Sequence, residues 1–186
     1  MNTIKLYKSV ERLSELLKVG ARKAGAEHGL QPVQLEILHY LSTCNKYSDT
    51  PMAVTEYLGQ TKGTVSQSIK TLVLKGLVEK IADENDKRTT HLAVTATGIA
   101  LLGEVIPSEL FVNACDQLSE SNKEQISQAL NTLLKAIIQT NNMKTFGVCH
   151  SCKHNRKLED GSYYCNLVKV PLTLNDISLI CREHEN

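Results

Sequence analysis

The stretch Thr55-Glu56-Tyr57-Leu58-Gly59-Gln60-Thr61-Lys62-Gly63-Thr64-Val65-Ser66-Gln67-Ser68-Ile69-Lys70 carries a helix stop, a cap and a second helix in immediate succession. Gly59 is placed where a helix leaves through a left-handed residue, a conformation that costs glycine nothing. Thr61 then caps the next helix with its hydroxyl. From there Val65, Ile69, Leu72 and Val73 recur at helical spacing and turn one face inward. Thr64, Ser66, Gln67 and Lys70 are left on the other faces, short and polar or basic, which suits base edges and phosphates. This is the punctuation of a helix-turn-helix reading head. An ordinary two-helix hairpin in an all-helical core is the competing reading.

Working outward from this stretch, Leu6, Val10, Leu13, Leu17, Ala21 and Ala24 predict an amphipathic helix over about Thr3 to Ala26, closed by Gly29. Pro32 suits the first turn of a second helix reaching about Thr43. Thr50 caps a short third helix opened by Pro51 and ended by Gly59, and the fourth runs from about Lys62 to Lys75, with Gly76 as its stop. Beyond Gly76 the period changes to that of two short strands, Leu77–Ala82 and Thr89–Val94. They are joined by the polar run Asp83-Glu84-Asn85-Asp86-Lys87-Arg88, and a hairpin in this place is a wing. Its basic tip, Lys87 and Arg88, has the reach for a phosphate or a minor groove. Thr95 caps a fifth helix extending toward Leu110, which Pro107 is expected to kink or break. Ser121 with Glu124 reads as a capping box for a last long helix striped by Ile126, Leu130, Leu133, Leu134, Ile137 and Ile138. The apolar stripes of the first and last helices exceed what one small core needs, and a homodimer interface would use the excess.

The chain has 186 residues and a formal net charge of +1, so any nucleic-acid surface must be a local one. Between Gln60 and Thr90 six basic residues face four acidic ones, a mild bias. No run approaches membrane-spanning length and the amino terminus lacks a signal-peptide pattern, so a cytoplasmic location is expected. No nucleophile-base pair, phosphate loop or paired-carboxylate motif is evident, and the chain is not read as an enzyme.

Residues from about Gln31 to Ile106 resemble the MarR family of winged helix-turn-helix regulators. The resemblance is carried by Pro32-Val33-Gln34-Leu35-Glu36-Ile37-Leu38, Thr64-Val65-Ser66-Gln67-Ser68-Ile69, Lys75-Gly76-Leu77-Val78-Glu79, Asp86-Lys87-Arg88 and Leu92-Ala93-Val94-Thr95-Ala96-Thr97-Gly98. It implies a mainly α (α+β) fold with a homodimer joined through the first and last helices. It also implies binding to a pseudo-palindromic double-stranded DNA operator, often as a repressor. Residue by residue, it assigns Thr61, Lys62, Thr64, Ser66, Gln67 and Lys70 to the DNA-facing side of the reading helix, and Arg88 to the wing arginine that enters the minor groove; Lys87 beside it is a candidate from its place at the basic tip. Many relatives release DNA when a small ligand or an oxidant acts between the dimerisation helices and the reading heads. The sequence shows no specific signal for such a pocket. The implied organisation is a dimerisation helix (1–30), the winged domain (31–95), further dimerisation helices (96–145) and an added module (146–186).

That module departs from the family. Four of the six cysteines lie in it: Cys149, Cys152, Cys165 and Cys181. In a reducing compartment such a cluster points to a metal or redox site. Cys149 and Cys152 form a turn whose thiols converge, and Cys165 and Cys181 complete four ligands. One pair followed by two separated cysteines suits an iron-sulfur cluster; zinc is the alternative, and a metal-free thiol pair the third reading. His150, His154 and His184 lie near enough in sequence to replace a cysteine in a zinc site but are expected to be solvated and are not assigned as ligands, and Cys44 and Cys115 are expected to be inert buried thiols. Gly161, Tyr163 and Tyr164 predict a turn into a short strand, and the apolar set Leu172, Ile177 and Ile180 is small enough to need a crosslink. A cluster would make the chain a redox or iron sensor, its state passed through the last dimerisation helix to the spacing of the reading heads. Zinc would make the tail structural and leave the signal to a small effector. From another class, a redox or electron-transfer protein using the winged fold to bind a partner remains a competing reading.

Overall fold

The computed structural model describes residues 2–84 and 86–185; Asn85, within the wing loop, lies outside the described residues. Among the described residues, eight α-helices and five strands follow in the order α1 (Thr3–Ala26), α2 (Pro32–Thr43), α3 (Pro51–Leu58), α4 (Lys62–Leu74), β1 (Val78–Ala82), β2 (Thr90–Val94), α5 (Ala96–Val105), α6 (Glu109–Asp116), α7 (Glu120–Thr140), β3 (Asn155–Lys157), β4 (Tyr163–Cys165), β5 (Val170–Leu172) and α8 (Leu174–Ser178).

The core forms where α2 is apolar on several sides at once. Leu35, Ile37, Leu38 and Tyr40 of α2 meet Ala53 and Val54 of α3, Val65, Ile69 and Leu72 of α4, and Val78 and Leu92 of the wing, all essentially closed to solvent. Each such side chain contributes about 1.5–3 kcal/mol through removal from water. The caps agree with the sequence expectations: Thr50 accepts from Ala53 N, Thr61 from Thr64 N and Thr95 from Gly98 N. Gly59 closes α3 with φ 61°, in the left-handed region. β1 and β2 pair antiparallel with Val78 opposite Val94 and Ala82 opposite Thr90.

The break expected at Pro107 is found: α5 stops at Val105, short of Leu110, the Ile106–Pro107 bond is cis, and α6 is a separate helix starting at Glu109. Two other local expectations are corrected. The last long helix is capped by Ser119, whose Oγ accepts from Asn122 N, so Ser121 lies inside α7 and forms no capping box. Ser119 has the extended backbone an N-cap needs, φ −66° and ψ 154°, and so takes the cap two residues upstream of the expected one. Cys115 in α6 is only half-buried, because α6 and α7 bury no residue within this chain.

The last segment folds as its own small unit. β3, β4 and β5 form an antiparallel meander, with Asn155 opposite Cys165 and Cys165 opposite Val170. The turn predicted at Gly161 leads into β4 as expected. Thr173 and Asp176 make a reciprocal capping box that starts α8. Leu172, Ile177 and Cys149 form its core, joined by Tyr47 from the α2–α3 turn. Ile180 instead packs against the main core and pairs as a bridge with Cys44.

Candidate nucleic-acid interface and cysteine centre

The reading helix presents the side chains the sequence assigned to it. Thr61, Lys62, Thr64, Ser66, Gln67 and Lys70 are all exposed, while Val65, Ser68 and Ile69 are buried behind them. The Thr61 hydroxyl is committed twice, to Thr64 N at 3.2 Å and to Thr64 Oγ1 at 2.9 Å, so it holds the helix start as well as facing outward. A shallow cleft beside the helix is lined by Met52, Thr55, Lys62, Ser66 and Lys80. Lys80, on β1, was not among the sequence candidates; only the hairpin register brings it to this cleft.

The wing tip is built on Asp86. Its Oδ1 accepts from Arg88 N at 3.0 Å and its Oδ2 from Thr89 Oγ1 at 3.1 Å, and these donors hold the Asp86 carboxyl below the usual carboxylate range. Lys87 and Arg88 are exposed, the Arg88 side chain at 94%. At the wing's base His91 Nδ1 lies 2.5 Å from Asp49 Oδ1, and Nε2 3.1 Å from Asp83 Oδ2. The Asp49 hydrogen bond raises the His91 pKa above its ordinary value, with burial acting against it. Leu92 N donates to Asp49 O at 2.9 Å, so the α2–α3 turn carries the wing on this side.

The four tail cysteines line one cavity of about 20 Å³, which Asn45, Tyr47 and Asn155 also border. Cys149 opens a short 3-10 turn, Cys149–Ser151, in which Cys152 N donates to Cys149 O at 3.1 Å. Two N–H groups face sulfur: Glu185 N donates to Cys152 Sγ at 3.5 Å, and Asn155 Nδ2 lies 3.9 Å from Cys149 Sγ while donating to Cys149 O at 3.0 Å. Burial, with the neighbouring cysteines, pushes the Cys149 thiol up to about 12. Asn155 Oδ1 is buried without a hydrogen-bond partner among the described residues. An all-cysteine donor set with N–H donors on the sulfurs is chemistry that fits a thiophilic ion or cluster. Among the described residues no three His, Cys, Asp or Glu side chains close on one point at the distances of a single bound ion.

The expectation for the histidines holds only in part. His184 is 5% exposed rather than solvated, with Nδ1 at 2.7 Å from Thr145 Oγ1 and Nε2 at 3.0 Å from Ser151 Oγ. Gly147 packs flat against its ring, where a Cβ would come within 2.6 Å. Cys44 is buried as expected, and burial pushes its thiol up to about 12.

A helix-turn-helix followed by a two-stranded wing and flanked by long, outward-striped helices defines the winged helix-turn-helix class. Within it, residues 28–89 match the MarR family. The chain is 26% identical over 113 residues to the transcriptional repressor MprA of Escherichia coli K12, covering 60% of this chain and 64% of that protein's length. Among solved structures it resembles a MarR transcriptional regulator from Methanosarcina mazei, with 21% identity, a TM-score of 0.65, and coverage of 74% of this chain and 99% of that one. It also resembles MepR of Staphylococcus aureus in complex with DNA, with 24% identity, a TM-score of 0.56, and coverage of 73% and 98%. The fold is therefore of the MarR type. No single helix among the described residues is long and apolar enough to cross a membrane.

Proposed function

We propose that this chain is a homodimeric, DNA-binding transcriptional regulator, acting as a repressor, whose C-terminal module holds a thiolate-ligated centre that controls operator affinity. The observation that carries the DNA-binding reading is the exposed polar face of α4 together with an exposed wing arginine, both carried on elements that pack into one core. Such a face contacts base edges from α4 and phosphate or minor groove from Arg88. The likeness to a repressor and to a DNA-bound structure supports the same reading. The test is binding to duplexes selected from a random pool at several salt concentrations. Affinity for a near-palindromic site that falls steeply with salt, and is lost in Lys70→Ala with Arg88→Ala, is the expected outcome. Salt-independent or absent binding would return the chain to the partner-binding, electron-transfer class.

For the centre, Cys149, Cys152, Cys165 and Cys181 are the ligands. The ligand spacing supports an iron-sulfur cluster, which supplies redox and iron-responsive chemistry when bound. Zinc is the second reading, since four thiolates are also a common zinc donor set. Anaerobic purification with iron, sulfide and zinc analysis separates the two. Iron with acid-labile sulfide, lost in Cys149→Ser, supports the cluster; colourless protein with zinc alone removes it.

A further inference from the structure

The cysteine module does not hang free from α7 but returns to the reading unit. Arg182 Nε and Nη2 donate to Glu56 Oε2 and Oε1, both at 2.7 Å, a two-pronged pair joining residues 126 apart. The side chains are 26% and 32% exposed, and the pair holds the Glu56 carboxyl below its ordinary range. Lys144 reaches Glu183 at 2.9 Å and Glu56 at 3.8 Å, closing the group into a network. Backbone bonds run beside it: Ile180 N donates to Thr43 O at 2.9 Å, Asn45 N to Ile180 O at 2.9 Å, and Arg182 N to Ser48 Oγ at 2.8 Å. Phe146 adopts φ 44° and sets its ring 5.2 Å from Tyr57 and 6.1 Å from Tyr40. An aromatic residue in that backbone region persists only where its surroundings hold it.

Cys181 sits between Ile180 and Arg182, the two residues that make these bonds. Its own N donates to Gly147 O at 2.9 Å, and Cys149 N donates to Leu179 O at 3.0 Å, so the paired turn and the Cys181 strand are tied together. The segment they grip, Thr43 to Ser48 and on to Glu56, is the α2–α3 turn and the first helix of the reading pair. The same turn carries Asp49, which holds the wing through His91 and Leu92.

We infer that the module is a clamp on the helix-turn-helix: the Arg182–Glu56 pair and the Ile180 bridge pass the state of the thiolate centre at Cys181 directly to the α2–α3 turn and α3. This rests on the proposed centre and replaces the expected route through the last dimerisation helix. Loading the centre orders the segment around Cys181, the clamp closes, and α4 and the wing are held against one support. Emptying it loosens both together.

The test is hydrogen–deuterium exchange on the full-length protein with Zn²⁺ as the loading ion and a chelated reference, in the native chain, Glu56→Gln and Arg182→Gln. Zinc is expected to slow exchange in residues 43–58 as well as 147–184, and Glu56→Gln to take up the same zinc while losing the slowing in 43–58. Slowing confined to the tail, or retained in Glu56→Gln, overturns the clamp and leaves the centre standing. If the native chain takes up neither zinc nor a reconstituted iron-sulfur cluster, the centre fails, and the clamp is judged on the charge variants alone. Exchange in both segments then rises roughly three- to fivefold in Glu56→Gln if the clamp exists, and stays unchanged if it does not. Arg182→Lys, which keeps the charge and loses the fork, replaces Arg182→Gln should that variant fail to fold.

Discussion

Single residues carry two separable tasks. Lys70 and Arg88 are exposed and are expected to act on DNA without supporting the fold; replacing either by Ala leaves thermal stability within about 0.5 kcal/mol of the native chain. Binding to all duplexes falls with Lys70→Ala or Arg88→Ala if they meet phosphates, whereas loss at one base position only marks a base contact. His91 does the opposite work. Its pKa is raised in the folded chain, chiefly by the Asp49 hydrogen bond, so the stability it contributes is fully present below its ordinary value near 6.5 and is lost as pH rises through the folded value. Thermal unfolding followed from pH 5 to 9 is expected to show that loss in the native chain. In His91→Gln the dependence on pH in that window disappears; its persistence would assign it to other groups.

At the scale of elements, α4 depends on its start and its buried face in different degrees. Thr61→Ala removes the cap on Thr64 N and is expected to cost about 1 kcal/mol in chemical denaturation, because one amide at the helix start loses its partner. Leu72 is fully buried between α2 and the wing, and Leu72→Ala is expected to cost about 2–5 kcal/mol through lost contact and the space left behind. The caps of α3, α4 and α5 and the glycine stops after α3 and α4 were legible in the sequence, since each is a matter of residues a turn or less apart, whereas the Gln31–Gln34 capping box of α2 was not read. The start of α7 was not: Ser119 and Ser121 are both acceptable caps, and backbone direction after α6 selects between them.

At the scale of the whole molecule, α1 and α7 leave Ile4, Tyr7, Leu13 and Leu17, and Ile126, Leu130, Leu134 and Ile137, between 45% and 62% exposed in a single chain. Two helices with unfilled apolar stripes are what a second copy would cover. Leu130→Glu with Leu134→Glu is expected to convert a dimer to a monomer by light scattering and to abolish binding to a two-half-site duplex. A native chain that is already monomeric would defeat the dimer reading.

What the sequence determined by itself is the succession of helices, the wing, the outward face of α4 and the grouping of four cysteines in one tail. All of these follow from periodicity, capping and stop residues acting within a few positions. Only the tertiary structure decided where that tail lies. The pairing of Arg182 with Glu56, the bridge from Ile180 to Cys44 and the burial of His184 link residues far apart in the chain, and no local rule selects one such partner from many. They depend on the packed core, which presents the α2–α3 turn with the Glu56 carboxylate near it. The tail then satisfies its own backbone groups and charges there at less cost than in water.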